Sequence, residues 1–410
     1  MGDRSITDLT DDISITFEES LNHIRFIKEL VGKDRLSNEF HIIKTREEQI
    51  RESSKFPKFG YDKDFHPLFY LLWKIEKHLK DSVTATDEFT RVSSLGEDLL
   101  TVVNSSTEGL KGKIDDLMSS NHELFDKTTY EIHIAAEHIR KGHSVRFIPT
   151  DSKSGKRTAD LFIDNQIEVE CKKKDHSSRQ YIKSVEYWNQ MGKKLFGIME
   201  HIGQNYSITI SSEKYPTADD VKLVTTFARS LIKNSREGTF SHPKRGIEIT
   251  LQKLLPLDFE VQSNTIKHRT SEPVDYMFFL SEAMISGQEN VTIQNNRFFA
   301  FRTKEHPDKI KGILGSIRRA IRQLSGVVPN VIYVDLSVVA NTLTERDFEL
   351  LFQSINDILR NNSRVSMIAL TAEFAGSEKN GWYRNDKLWT FENEHPKHRL
   401  PDYYSIGRSR

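Results

Sequence analysis

The stretch ADLFIDNQIEVECK, residues 159–172, constrains the fold of this chain more than any other. Ile167, Val169 and Cys171 alternate with Glu168, Glu170 and Lys172, the period-two pattern of a half-buried strand. Just upstream, Ala159, Leu161 and Ile163 alternate with Asp160 and Phe162, which predicts a second strand. A hairpin buries both apolar sets on one side only in a register that places Ile163 opposite Ile167 and Leu161 opposite Val169. The three residues Asp164, Asn165 and Gln166 supply the odd loop this register needs. Asp160 then falls opposite Glu170. Directly opposed side chains have Cβ atoms about 4.5–5.5 Å apart, and like charges there destabilise a sheet. Such a pair needs a cation, or one carboxyl must take up a proton.

Lys172, one pleat further on the same face, brings one positive charge. A divalent metal would bring more, so the crowding reads as a metal site. Mg²⁺ takes oxygen ligands, keeps several waters, and is commonly held by one or two carboxylates plus substrate phosphate. Mn²⁺ is the natural substitute. A lysine beside such an ion can orient a water and stabilise charge in a phosphoryl transition state.

Composition narrows the setting. Apolar residues make up 37% of the 410 and charged ones 29%, enough to build a core, so wholesale disorder is excluded. The length predicts two or three units. Formal net charge is zero, so nucleic acid could be bound only through local basic patches. Cys171 is the single cysteine, which excludes a disulfide framework and a cysteine-based zinc site and fits a reducing compartment. The fifteen histidines show no His-Glu-x-x-His or similar ligand spacing. The N-terminal residues contain no signal-like apolar run, and no stretch approaches the roughly 18 apolar residues of a membrane span. A cytoplasmic protein without a membrane partner is the expectation.

The overall class is α/β. Residues 1–118 read as a mainly helical region, with Leu68, Leu72, Ile75 and Leu79 on one stripe. Residues 119–215 contain a helix carrying Ile132, Ala135, Ala136 and Ile139, three strands, a long helix near 177–203 and the strand YSITISS. Residues 216–410 alternate helix and strand as a further α/β region that could extend the same sheet, and its C-terminal stretch, rich in Asn, His, Pro and Arg, reads as irregular.

The order α-β-β-β-α-β over residues 121–211, with Asp160 on one strand and Glu170-Cys171-Lys172 ending the next, resembles the PD-(D/E)xK phosphodiesterase superfamily, the restriction-endonuclease-like fold. Glu170-x-Lys172 is the only Glu-x-Lys in the chain, and Ala159 stands where the family pattern has proline. The resemblance implies a Mg²⁺-dependent nuclease, an endonuclease acting on DNA rather than RNA, in restriction or another form of genome defence. It assigns Asp160 and Glu170 as metal ligands with the backbone carbonyl of Cys171, Lys172 as the residue that positions water, and Glu131, eleven residues before Gly142 on the leading helix, as an assisting carboxylate. Glu168 reads as structural. Lys173, Lys174, Arg179 and Lys183 follow the motif at a strand-to-helix junction and could grip phosphates. Lys311, Arg318 and Arg322 form a basic stripe on a helix spanning 309–324, which could track a nucleic-acid backbone or be plain surface. The rival readings are a non-catalytic nucleic-acid-binding or sensing subunit that keeps the fold, and a scaffold that binds a protein partner or itself through the N-terminal helices.

Overall fold

The computed structural model describes residues 7–53, 65–80, 87–149, 159–173, 179–202, 205–242, 246–253, 257–260, 276–286, 290–304, 307–340, 343–378 and 381–404. Strand β1 (Thr7–Thr16) leads into helices α1 (Phe17–Val31), α2 (Lys33–Ser53), α3 (Pro67–Lys80), α4 (Asp87–Asn104) and α5 (Leu110–Leu117). Helix α6 (His122–Arg140) and strands β2 (Val145–Phe147), β3 (Leu161–Ile163) and β4 (Ile167–Lys173) follow. Next come α7 (Arg179–Ile202), β5 (Tyr206–Ser212), α8 (Ala218–Lys233), β6 (Gly238–His242), β7 (Ile247–Lys253), β8 (Leu257–Glu260), β9 (Tyr276–Ser286) and β10 (Asn290–Thr303). The chain closes with α9 (Pro307–Ile321), β11 (Asn330–Asp335), α10 (Ser337–Ala340), α11 (Glu345–Arg360), β12 (Met367–Glu378) and β13 (Gly381–Glu392).

The chain divides elsewhere than at residues 118 and 215. Residues 176–309 form a second compact unit, and the sequence on both sides of them forms the first. Helix α7 and strand β5, expected to complete the α-β-β-β-α-β core, lie in that second unit. Strand β5 pairs there with β7 and β10 in a sheet ordered β6-β7-β5-β10-β8, with β9 also on β10. Helices α7 and α8 cover it through Trp188, Leu195, Val224 and Ile232 against Ile208, Ile210, Phe299 and Phe301.

The first unit is a seven-stranded sheet ordered β1-β13-β12-β11-β4-β3-β2. Strands β2, β3 and β4 form an antiparallel meander, and β11 lies parallel to β4 with β12 parallel to β11. Parallel neighbours need a crossover, usually helical. Helix α9 stands immediately before β11, the parallel neighbour of β4, whereas β5 pairs in the other sheet. The N-terminal region is not helical throughout, because β1 pairs along its whole length with β13. The C-terminal stretch expected to be irregular contains β13. Both are strands whose partner lies at the far end of the chain.

Each face of this sheet is buried under helices. Leu161, Ile163, Ile167, Val169 and Cys171 share one apolar cluster with Ile27 of α1, Val92 and Leu99 of α4 and Ala135 of α6. On the other face Ile332, Val334, Ile368 and Leu370 cluster with Ile313 and Ile317 of α9 and Leu351 and Ile355 of α11. Local signals start several helices. Thr16 and Glu19 form a reciprocal capping box at α1, as Thr344 and Asp347 do at α11, satisfying backbone N–H groups the first turn leaves open. Among the described residues no helix is long and apolar enough to cross a membrane.

A buried ion network ties α4, α6 and β13 together. Asp98 accepts from His133 Nδ1 at 2.9 Å and from Arg140 at 2.7 Å. Arg384, wholly buried on β13, donates to Asp386 and to Ser94 Oγ, both at 2.8 Å. Burial alone would raise the Asp98 pKa, but His133, Arg140 and Arg384 overcome it and hold it down to about 2. Burial would lower that of His133, and Asp98 holds it up to about 9. The Asp98 contribution to stability is whole above its ordinary 3.8 and lost as pH falls toward about 2. The His133 contribution is whole below its ordinary 6.5 and lost as pH rises through about 9. Urea unfolding of wild type and His133→Gln should therefore show a stability gap that is constant between the ordinary carboxylate value of 3.8 and pH 6.5 and closes by about pH 9. A gap that persists above that range would show that the histidine is not held charged by Asp98.

Candidate active site

Strands β3 and β4 pair in the register the apolar pattern demands, Leu161 with Val169, Phe162 with Glu168 and Ile163 with Ile167. Asp164 and Asn165 turn the hairpin with positive φ of 50° and 53°, a conformation these two residue types tolerate. The Asp164 carboxylate pins the turn, accepting from Ser144 N at 2.8 Å and His143 Nδ1 at 2.7 Å. The recorded pairing ends at Leu161, and Asp160, one residue before it, lies near enough to Glu170 for its charge to raise the Glu170 pKa. Asp160 N–H donates to Val169 O, and Asp160 O accepts from Ile148 N, both at 3.0 Å. The chain bends there, so Ala159 departs from the expected alternation and packs with the α9 face instead of with Leu161.

Asp160, Glu170 and Glu131 are all buried, the two glutamates completely. Asp160 Oδ2 accepts from the Cys171 backbone N–H at 2.8 Å, which fixes the carboxylate against β4. Its Oδ1 accepts from Lys127 Nζ at 3.0 Å. Lys127 stands one turn before Glu131 on α6 and lies 3.0 Å from Glu131 Oε1 as well. Lys113 of α5 donates to Glu131 Oε2, and Lys172 donates to Glu170 Oε1. Glu170 Oε2 is buried and has no hydrogen-bond partner among the described residues. Cys171 is itself buried, its side chain in the apolar cluster.

The three carboxyls respond differently to shared burial. Burial would raise Asp160, yet Lys127, Lys172 and the Cys171 N–H hold it below its ordinary value. Glu131 is raised, by burial first and then by Asp160, against the pull of Lys127 and Lys113. Burial and Asp160 push Glu170 up to about 8 despite Lys172. Glu170 is the carboxyl pushed into the neutral range, where a stronger cation would be needed to keep it ionised.

Helix α5 is set in place by a tight approach. Glu108 O accepts from Phe147 N at 2.9 Å, and Gly109 follows with φ +81° at the α5 N-terminus. A Cβ on Gly109 would lie 2.6 Å from Phe147 O, so only glycine lets α5 sit this close to β2. Lys113 is thereby carried to Glu131.

The structure thus brings Asp160, Glu170, Lys172 and Glu131 together. The flanking basic residues fare differently. Lys173 is half-buried, its Nζ 3.8 Å from Asp335 Oδ2, so it has an internal partner and is not a free phosphate grip. Lys174 and the Arg179 side chain lie outside the described residues. Lys183 is exposed on α7 in the second unit, so the cluster foreseen as one junction is split between two units. Lys311, Arg318 and Arg322 are exposed, the first two on α9 and the third just past its end. Glu168 is structural, its Oε2 accepting from Ser325 N at 2.8 Å. Sequence reasoning missed Lys127 and Lys113. Lys127 was findable, since a lysine four residues before a glutamate faces it on a helix. Lys113 lies on another helix and carried no signal.

Removing one partner of a buried ion pair leaves the other uncompensated. Lys113→Met should lower unfolding stability by about 3 kcal/mol, read by urea denaturation against the exposed control Lys111→Met. Equal losses in the two variants would show that Glu131 needs no buried cation from α5. No known protein family, characterised protein or solved structure matches the chain.

Proposed function

We propose that the chain is a Mg²⁺-dependent nuclease that hydrolyses phosphodiester bonds of nucleic acid, most directly DNA, with α6, β2–β4, α9 and β11 acting as a restriction-endonuclease-like core. The observation that supports this reading is the gathering of three buried carboxyls, Asp160, Glu170 and Glu131, with Lys127 and Lys172 among them. Among the described residues no group of three or more His, Cys, Asp or Glu forms a metal cage. Mg²⁺ commonly uses only one or two carboxylates and keeps its waters, so the donor set fits it. Asp160 and Glu170, with the Cys171 carbonyl, would hold the ion, and the unpartnered Glu170 Oε2 is an acceptor such an ion would satisfy. When bound, Mg²⁺ supplies charge neutralisation at the phosphoryl group and acidifies water.

The chain's own residues do the rest. Lys172 lies beside Glu170, where its ammonium can orient the attacking water and stabilise negative charge as it builds on the phosphoryl oxygens. The Cys171 N–H keeps Asp160 turned toward the same place. Glu131 holds Lys127 and Lys113 and so sets the local field. Exposed Lys311, Arg318 and Arg322 offer phosphate contacts that position a duplex without reading its sequence. A cytoplasmic role in restriction or other genome defence suits such an activity.

With labelled single- and double-stranded DNA and RNA as substrates, the purified chain should cut DNA with Mg²⁺ or Mn²⁺ and not in EDTA. Asp160→Asn and Lys172→Ala should each reduce cutting by at least about 100-fold, with gel-shift binding retained. Cutting that survives EDTA or either substitution sinks the proposal. Binding without cutting in the wild type favours the non-catalytic reading, in which Lys127 and Lys113 neutralise the carboxylates permanently.

A further inference from the structure

Lys127 holds a position unlike that of the other lysines in the cluster. Its single ammonium stands 3.0 Å from Asp160 Oδ1 and 3.0 Å from Glu131 Oε1, bridging the hairpin carboxylate to the helix carboxylate. Both ends of the bridge have support of their own. Glu131 is also held by Lys113, whose side chain is 8% exposed, and Asp160 by the Cys171 N–H. The Lys127 side chain, by contrast, is 38% exposed. A lysine stem is flexible and long enough to withdraw its charge into water while its methylenes stay packed. Lys113 lacks that route, since it is enclosed.

The ammonium occupies Asp160 Oδ1, an oxygen that a divalent ion held by Asp160 and Glu170 would compete for, and it brings half the charge of such an ion. We infer that Lys127 is the resident counter-ion of the Asp160–Glu131 pair and that a divalent metal binds by displacing it toward solvent. The inference rests on the metal-dependent reading above. It explains how buried carboxylates stay aligned before a metal arrives, and it makes metal affinity a competition with the chain's own cation. The displaced ammonium, still tethered one helical turn from Glu131, is then free to meet a substrate phosphate.

The test measures Mn²⁺ binding to the 410-residue chain by electron paramagnetic resonance of free Mn²⁺, at mildly alkaline pH where protons compete least. Lys127→Met should bind about tenfold more tightly than wild type, the worth of one charge-assisted hydrogen bond no longer broken on binding. Adding Asp160→Asn should abolish that binding, which places the ion at this site. Lys127→Arg, which keeps the charge, should bind as wild type does. Lys127→Gln replaces the methionine variant should the latter not fold, judged by its circular dichroism. Equal affinities in wild type and the neutral variant, both lost with Asp160→Asn, overturn the inference and leave the metal site standing. Binding by neither protein overturns both. Binding by the neutral variant alone supports displacement directly.

Discussion

Three carboxylates from three elements share one buried volume, and like charges at that range do not coexist in a protein interior without cations between them. Asp160 enters from the start of β3, Glu170 from β4 and Glu131 from α6. Much of the first unit can be read as the arrangement that makes this tolerable. Lysines arrive from α5, from α6 and from β4, and a backbone N–H is spent on Asp160. The neutralisation is incomplete, since Glu170 stays raised and one of its oxygens has no hydrogen-bond partner among the described residues. A protein that needed only stability would do as well with apolar residues in such a place.

The second constraint is topological. Strand β11 lies parallel to β4, and parallel neighbours cannot be joined by a tight turn. The connection must leave the end of β4 and return to the opposite end of the sheet. Here it encloses all of residues 176–309, a unit with its own sheet and its own apolar cluster, before α9 completes the crossover. Inserting a compact unit costs the host little when its ends leave the surface at a loop. The hairpin and the leading helix, which carry the candidate site, precede the insertion in the chain.

Legibility in the sequence followed the range of the interactions. Asp160, Glu170 and Lys172 could be placed because a three-residue loop and two alternating stretches admit one register, and both strands lie within a dozen or so residues. Glu131 was named only through the family resemblance, eleven residues before Gly142. Strand β1 was hidden because residues 7–16 carry three aspartates and its partner β13 begins at Gly381. Helix α7 and β5 were assigned to the wrong sheet because a pattern of helix then strand looks the same whether it continues a fold or begins a new one. The internal partner of Lys173, Asp335, comes from β11 across the insertion, so its engagement was invisible to local reading.

The amino-acid sequence by itself determined the class of the fold and the β3–β4 hairpin with its register from Leu161 to Ile163, since each depends on side-chain alternation or turn length over a short span. Tertiary structure alone decided that Lys113 would be enclosed beside Glu131, that Lys127 would bridge two carboxylates, and that β11 would flank β4 in place of β5. Those outcomes depend on how distant segments pack, and packing energy is shared among many contacts, none of which leaves a periodic mark on the chain.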